Sequence, residues 1–288
     1  MSDLSSLRLP ATADLTVLRQ TVADWRQQGL RIGFVPTMGA LHEGHLSLIQ
    51  QAREKANRVV ASIFVNPAQF APGEDFDAYP RTMGIDAAKL ANANCDLLYA
   101  PLASDMYPEG FSTKLTVEGP AQGLETDFRP HFFAGVAVVV TKLFNRIQPD
   151  IAIFGEKDYQ QLLVIQRMVR DLDLPIEIIP GTTLRERDGL ALSSRNAYLS
   201  TKDRETAAKL NEILAAFAHD LSKDVDWEMA QGKALAKSAN VFDRVDYIEA
   251  RCANTLTALR PGPVKQPARV LAAVWLGQTR LIDNMAVE

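Results

Sequence analysis

The sequence predicts an α/β fold: a Rossmann-like parallel sheet with helices on both faces, plus a smaller C-terminal α+β domain. Three observations carry this. Up to about residue 180, short apolar runs rich in β-branched residues alternate with segments of helical period, the mark of a parallel sheet covered on both faces. Three polar clusters each follow one of those runs, so all three fall on one predicted sheet edge, where ligands of such sheets bind. Beyond that point the alternation gives way to a polar segment, then helices, then strand-like runs.

Taken in order, residues 14–27 read as a helix with Leu15, Leu18, Val22 and Trp25 on one side and Gly29 at its end. A strand follows over 31–35. Residues 44–56 read as a helix, with Leu46, Ile49, Ala52 and Ala56 on one stripe. Strand 58–65, helix 82–93 and strand 97–100 come next. Val136, Val139, Val140, Leu143, Phe144 and Ile147 keep the 3.6-residue period of a helix. Strand 151–154, helix 159–172 and strand 176–179 complete the first domain, expected over 1–183. In the second, over 184–288, a polar segment at 184–200 precedes helices at 201–220 and 226–238. Strand-like runs follow at 244–250, 269–276 and 280–282, and the proline-rich stretch 261–267 must be a loop.

The bulk numbers exclude several classes. The chain has 288 residues, 47% of them hydrophobic and 23% charged, with a net charge of −4 and a pI near 5.7. There is no basic stripe of the kind a nucleic-acid binder carries. Cys95 and Cys252 lie far apart and in no metal-binding spacing. No basic-then-apolar leader opens the chain, and no apolar run approaches the ~18 residues of a membrane span. The expectation is a cytosolic protein with reduced cysteines.

The chemistry concentrates in three clusters. His42-Glu43-Gly44-His45 lies between a strand and a helix, with His42 just before the helix and His45 in its first turn. Open N–H groups and the helix dipole make such an end an anion site. Gly44 permits close approach, and two imidazoles could donate to phosphate oxygens. A metal pair and two structural histidines are the alternative readings, although the spacing is not that of a zinc-protease motif. The chain has no Walker A loop and no G-x-G-x-x-G, so this turn is the leading nucleotide site. In Gly155-Glu156-Lys157-Asp158, Lys157 offers a point charge and Asp158 could cap the next helix or accept a ribose hydroxyl. In Leu192-Ser193-Ser194-Arg195, two hydroxyls and a guanidinium suit a phosphate clamp. Gln69 and Gln161 could hold a carboxylate or hydroxyl acid.

Together these clusters resemble the HxGH nucleotidyltransferase superfamily, and within it the pantothenate synthetase (pantoate–β-alanine ligase) family. The similar runs are PTMGALHEGH at 36–45, FVNPAQF at 64–70, DFDAYPRT at 75–82, TKLFNRIQPD at 141–150, GEKDYQQL at 155–162, RDGLALSSRN at 187–196 and YIEARCANTL at 247–256. The resemblance implies ATP-driven condensation of pantoate with β-alanine through pantoyl adenylate, releasing pyrophosphate and AMP. It implies a first domain for nucleotide and pantoate and a smaller C-terminal lid. His45, His42, Lys157 and Arg195 would act on the phosphates. Met38, Gly39, Ala40, Leu41, His42, Glu43, Gly44 and His45 would line the ATP site with Gly155, Glu156, Lys157, Asp158, Leu184, Leu192, Ser193, Ser194 and Arg195. Gln69, Gln161 and Met38 would hold pantoate, with Asn66 orienting the pocket. Magnesium is implied on the ATP oxygens with water, with no protein ligand. The partners implied are small-molecule substrates, without nucleic acid or membrane, and a second copy in a homodimer. Two departures stand out. Many members read R-P-x-H-F-x-G-V, whereas here His131 comes one place early. Leu184 stands where valine is usual beside adenine.

Overall fold

A computed structural model of the chain describes residues 4–71, 73–74 and 76–288. Residues 1–3 of the first expected domain, Pro72, and Asp75 of the run at 75–82 lie outside the described residues. The first elements are β1 (Ala11–Thr12), α1 (Leu15–Gln27), β2 (Ile32–Thr37), α2 (Glu43–Lys55), β3 (Arg58–Ile63), α3 (Met83–Asn92) and β4 (Leu97–Tyr99). Next come α4 (Ala103–Met106), α5 (Glu125–Phe128), α6 (Phe132–Ile147), β5 (Ile151–Gly155), α7 (Tyr159–Asp171) and β6 (Glu177–Gly181). The remainder is α8 (Thr201–Ala207), α9 (Lys209–Ser222), α10 (Trp227–Ala239), β7 (Arg244–Cys252), β8 (Ala268–Leu276) and β9 (Thr279–Ala286).

The chain divides into two compact units. One comprises Met1–Val117, Arg129–Glu156 and Val164–Thr182; the other comprises Glu118–Phe128, Lys157–Leu163 and Thr183–Glu288. Lys157, Asp158 and the start of α7 therefore group with the C-terminal unit, although they follow β5 directly.

The first unit holds a six-stranded parallel sheet in the order β1-β4-β3-β2-β5-β6. The chain builds outward from β2 to β3 and β4, then returns to place β5 on the other side of β2. That reversal between β2 and β5 is a topological switch point, and sheets of this kind bind ligands at the C-terminal strand ends beside such a point. Successive side chains of β2 show why both faces must be covered. Val35 packs with Leu48, Ile49 and Ala52 of α2 and Leu90 of α3. Phe34, pointing the other way, meets Phe144 of α6 edge-on at 6.2 Å, and Phe154 of β5 meets the same ring at 6.2 Å. Each such side chain contributes about 1.5–3 kcal/mol by burial. Helix α1 starts where the Asp14 carboxylate accepts from Thr16 and Val17 N–H at 2.6 and 3.2 Å. It ends where Gly29 takes a left-handed φ of 72°.

The second unit contains the three-stranded antiparallel sheet β7-β8-β9. Strand β8 is buried on both sides. Val270, Ala272 and Val274 join Leu214 and Phe217 of α9 and Ala230 of α10, while Leu271 and Ala273 join Leu124, Tyr247 and Leu256.

Three expectations change. Strand β1 was not legible, because two residues paired at a sheet edge with β4 carry no periodicity. The helix expected over 201–220 is two, since Ala208 turns its N–H to the Thr206 carbonyl and interrupts the ladder. The last strand is longer than 280–282, because all of β9 pairs with β8 from Leu276↔Thr279 to Arg269↔Ala286. Among the described residues no helix is long and apolar enough to cross a membrane.

Both cysteines are free thiols. Burial pushes the Cys95 thiol up to about 12, against weaker help to the thiolate from nearby backbone groups. At Cys252 partial burial works the same way, but the Thr255 hydroxyl and the Asn254 and Thr255 backbone outweigh it and lower its pKa. Iodoacetamide at mildly alkaline pH should therefore alkylate Cys252 in the folded protein and Cys95 only after denaturant is added, as peptide mass mapping would show. Equal labelling of both in the native state would contradict this packing.

Candidate active site

The turn after β2 is built against its own backbone preferences. Gly39 and Ala40 both have left-handed φ, 88° and 51°. Glycine takes this conformation readily, whereas alanine must be held in it. Asp86 does the holding. Its carboxylate is 1% exposed and accepts from Ala40 N–H at 3.0 Å, Leu41 N–H at 2.8 Å and the Thr82 hydroxyl at 2.9 Å. It lies in the first turn of α3, where the helix dipole favours a negative charge. Lys89, one turn on, donates to the Leu41 carbonyl. A Cβ on Gly39 would sit 3.2 Å from Asp86 Oδ2 and from Ile63 Cγ2, so this position also needs glycine for space.

The turn delivers His42 to the N-cap of α2 and His45 to the third helical position. The two histidines cap each other. Gly44 N–H donates to His42 Nδ1 at 3.1 Å, and His42 N–H donates to His45 Nδ1 at 3.4 Å. Their rings lie 4.0 Å apart. This revises the expectation of open backbone N–H groups at this helix start, since Gly44 N–H goes to His42 Nδ1 and His45 N–H to the His42 carbonyl at 2.8 Å. It also assigns the tautomer. Each Nδ1 accepts, so each neutral ring carries its proton on Nε2. Both imidazoles are thereby fixed as Nε2–H donors. They are half-buried, as are Met38, Ala40 and Gly44; Glu43 is exposed, while Gly39 and Leu41 are buried.

The next strand of the sheet, β3, leads to the turn Pro67–Gln69. Asn66 is 1% exposed and is not a surface ligand. Its amide donates to Gly135 O at 3.2 Å and accepts from Ala68 N–H at 3.3 Å and the Tyr107 hydroxyl at 2.7 Å. Burial pushes the Tyr107 phenol up to about 12, despite its bond to Asn66, so it remains a donor. The side chain of Asn66, expected to orient the pocket, holds this turn. Gly135 packs so tightly on that turn that a Cβ would fall 2.1 Å from Ala68 O. Arg129 completes the support, donating to Gln69 O at 2.9 Å and to both carboxylate oxygens of Glu74 at 2.8 and 2.7 Å. Gln69 itself is nearly buried. On the other side of β2, strand β5 ends at half-buried Gly155, followed by half-buried Glu156. The His42–His45 turn, the Asn66–Gln69 turn and Gly155 thus follow three adjacent strands at one edge of the sheet.

The remaining candidates belong to the second unit. Glu156–Asp158 forms a 3-10 turn running straight into α7, so Asp158 does not occupy the extended capping position expected of it. Lys157, Asp158 and Gln161 are half-buried, whereas neighbouring Gln160 is buried. Gln160 is structural: it accepts from Glu125 N–H at 3.1 Å and donates to Pro120 O and Gly123 O at 3.0 and 3.1 Å. Leu184 is exposed, and its carbonyl accepts from Leu192 N–H at 3.0 Å to close a hairpin. Ser193 caps the 3-10 turn Ser194–Tyr198 by accepting from Arg195 N–H at 3.3 Å. Leu192, Ser193, Ser194 and Arg195 are not exposed: Leu192 to Arg195 are all half-buried.

Known proteins resemble this chain over nearly its whole length. The family model described as pantoate-beta-alanine ligase matches residues 11–286. The chain belongs to the pantoate–β-alanine ligase family. It is 59% identical over 279 residues to the pantothenate synthetase of Maricaulis maris, covering 97% of each chain. The crystal structure of pantothenate synthetase from Thermus thermophilus superposes with a TM-score of 0.90 at 44% identity, covering 97% of this chain and 99% of that one. A Francisella tularensis pantoate-beta-alanine ligase, complexed with β-γ ATP and β-alanine, gives a TM-score of 0.80 at 34% identity over 96% and 97%.

Within this family the shifted histidine has a structural counterpart. His131 is an exposed residue at the start of α6. At the place where many members carry histidine, Phe132 lies 4.0 Å from the Arg129 guanidinium, a cation–π contact that steadies the arginine beneath Gln69. Asp86, Lys89, Tyr107, Gly135 and Arg129 are the supports that sequence reasoning did not assign. Asp86 reads as an ordinary acid in a first helical turn, and only its long-range bonds reveal its task.

Replacing Asp86 with alanine should cost about 2–4 kcal/mol, since it strips acceptors from two inward N–H groups and releases a strained turn. Urea denaturation would register the loss as a lower midpoint at unchanged slope. A midpoint equal to that of the parent protein would contradict the assignment. Gly135→Ala should lower the midpoint as well, by about 1–3 kcal/mol of overpacking.

Proposed function

We propose that this chain condenses pantoate with β-alanine in two half-reactions, the first consuming ATP, and that His42 and His45 are the phosphate-facing donors of that first step. In that step a pantoate carboxylate oxygen attacks the α-phosphorus of ATP and the bond to pyrophosphate breaks, giving pantoyl adenylate. In the second step the β-alanine amine attacks the adenylate carbonyl, AMP leaves, and the nitrogen loses a proton. The substrate carboxylate is the nucleophile, so the protein's task is alignment and stabilisation of charge developing on phosphate oxygens. Keeping water from the mixed anhydride is the second task.

The observation that supports this reading is the reciprocal histidine cap, in which each Nδ1 accepts a backbone N–H and a neutral ring therefore carries its proton on Nε2. An imidazole whose Nδ1 is already an acceptor can donate from Nε2 without reorganising, and that suits an oxyanion. Met38 to His45 are read as the ATP wall, joined by Gly155 to Asp158, Leu184, Leu192 and Ser193 to Arg195. Gly155 supports this, since its nearest neighbour to an added Cβ is an ordinary 3.9 Å away and the protein itself does not require glycine there. Lys157 and Arg195 supply positive charge to the phosphates, and Asp158 accepts from ribose. Gln69, Gln161 and Met38 are assigned to pantoate, with Asn66 as a positioning residue. The complex of the Francisella relative with β-γ ATP and β-alanine supports the choice of nucleotide and amine. Magnesium is read as carried by the oxygens of the nucleotide together with water. A cytosolic homodimer is the state implied by the family resemblance.

Pantoate-dependent exchange of pyrophosphate into ATP isolates the first half-reaction. His45→Ala should slow it roughly 10²–10³-fold, the usual cost of one transition-state donor, with the folded spectrum retained. Near-normal exchange would remove His45 from the phosphates. Arg195→Ala should raise the KM for ATP and slow adenylate formation in a single turnover; unchanged values would take it out of the clamp.

A further inference from the structure

Two adjacent residues of β9 tie together the segments assigned to the triphosphate in the second unit. Asp283 and Asn284 are each only 4% exposed, on a strand that sequence patterning marks as plain sheet. Asn284 Nδ2 donates to the Lys157 carbonyl at 2.9 Å, and its Oδ1 accepts from Arg269 Nε at 2.5 Å. The Arg269 guanidinium in turn lies 3.7 Å from the Tyr159 ring, two residues past Lys157. Asp283 receives Arg185 in a two-pronged pair at 2.6 and 2.9 Å. The same guanidinium reaches Asn284 O at 3.3 Å and Gly189 O at 3.0 Å.

Arg185 is the base of a hairpin. It pairs with Ala191, and Gly189 turns the tip at a φ of 91°. Arg204 holds that tip, bonding Glu186 at 2.6 Å and Asp188 at 2.8 Å, and keeps the Asp188 carboxyl below the usual carboxylate range. The Ser-Ser-Arg loop leaves from the last hairpin residue, and Asn196 binds it back to Ala191 O at 3.0 Å. Successive residues of a strand point to opposite faces. One peptide unit of β9 therefore grips the lysine turn with one side chain and the hairpin with the other.

We propose that Asp283 and Asn284 are positioning residues that set the spacing between Lys157 and Ser193–Arg195, so that the two segments engage a polyphosphate as one clamp. This rests on the ATP reading above. Neither side chain touches the reacting atoms. Their effect passes through the Lys157 carbonyl and the Arg185 hairpin, and misplacement on the scale of an ångström is enough to cost catalysis.

The test is a double-mutant cycle on pyrophosphate exchange. Asn284→Asp keeps the acceptor for Arg269 but turns an oxygen on the Lys157 carbonyl in place of a donor. In the otherwise unchanged enzyme it should slow exchange by roughly tenfold to 100-fold and raise the KM for ATP. In a Lys157→Ala background the same substitution should change exchange by less than about twofold, because its route of action is already gone. Equal losses in both backgrounds would overturn the proposal and leave a purely structural role. Wild-type exchange in Lys157→Ala alone would overturn the ATP reading of the lysine, and the proposal with it. Should Asn284→Asp fail to fold, Asn284→Ser, which keeps a shorter donor, carries the same cycle under the same criteria.

Discussion

The carboxylate of Asp86 holds the turn that delivers His42 and His45 to the start of α2. A strand buried on both faces must leave the sheet within a few residues and hand the chain to α2. Gly39 and Ala40 achieve this through left-handed backbone, and the N–H groups of Ala40 and Leu41 point inward to Asp86. Without an acceptor there, the turn would lose the bonds that offset its strain. With it, His42 arrives at the helix N-cap in an extended conformation, φ −131° and ψ 174°, as a capping residue must.

Capping by histidine is the consequence with chemical meaning. Serine or aspartate at an N-cap would satisfy the same N–H and stop there. An imidazole does so with one nitrogen and keeps a second, oppositely directed one. Because His45 accepts from the His42 backbone in return, both rings hold the same tautomer. Protonation at either Nδ1 would cost a cap bond. On the reading proposed above, such a pair would stabilise charge on a phosphate oxygen without acting as a base on a nucleophile, in keeping with a reaction whose nucleophile is the substrate's own carboxylate.

Much of this was legible in the sequence. The parallel sheet followed from apolar strands and helical periods, and the three polar clusters fell at strand ends because the topology permits ligands there. Gly29 marked the end of α1 by ordinary capping chemistry. What escaped was long-range. Asp86 lies 46 positions from Ala40, and Asn284 lies 127 from Lys157. Each resembles its neighbours in composition, and only the folded chain shows which backbone groups it serves. The same holds for Gly135, in the first turn of α6, where glycine is merely unfavourable until the Pro67–Gln69 turn is seen against it. Local signals also misled in small ways. Asp158 looked like a cap but lies within the 3-10 turn Glu156–Asp158.

The tautomer of the two histidines tests this most directly. Two-bond nitrogen–proton correlation NMR on protein labelled with 15N at histidine, assigned with His42→Gln and His45→Gln variants, reads which ring nitrogen carries the proton. In the neutral form of both His42 and His45 the proton should sit on Nε2. A proton on Nδ1 of either ring would contradict the reciprocal cap, and with it the assignment of this pair as fixed donors to phosphate.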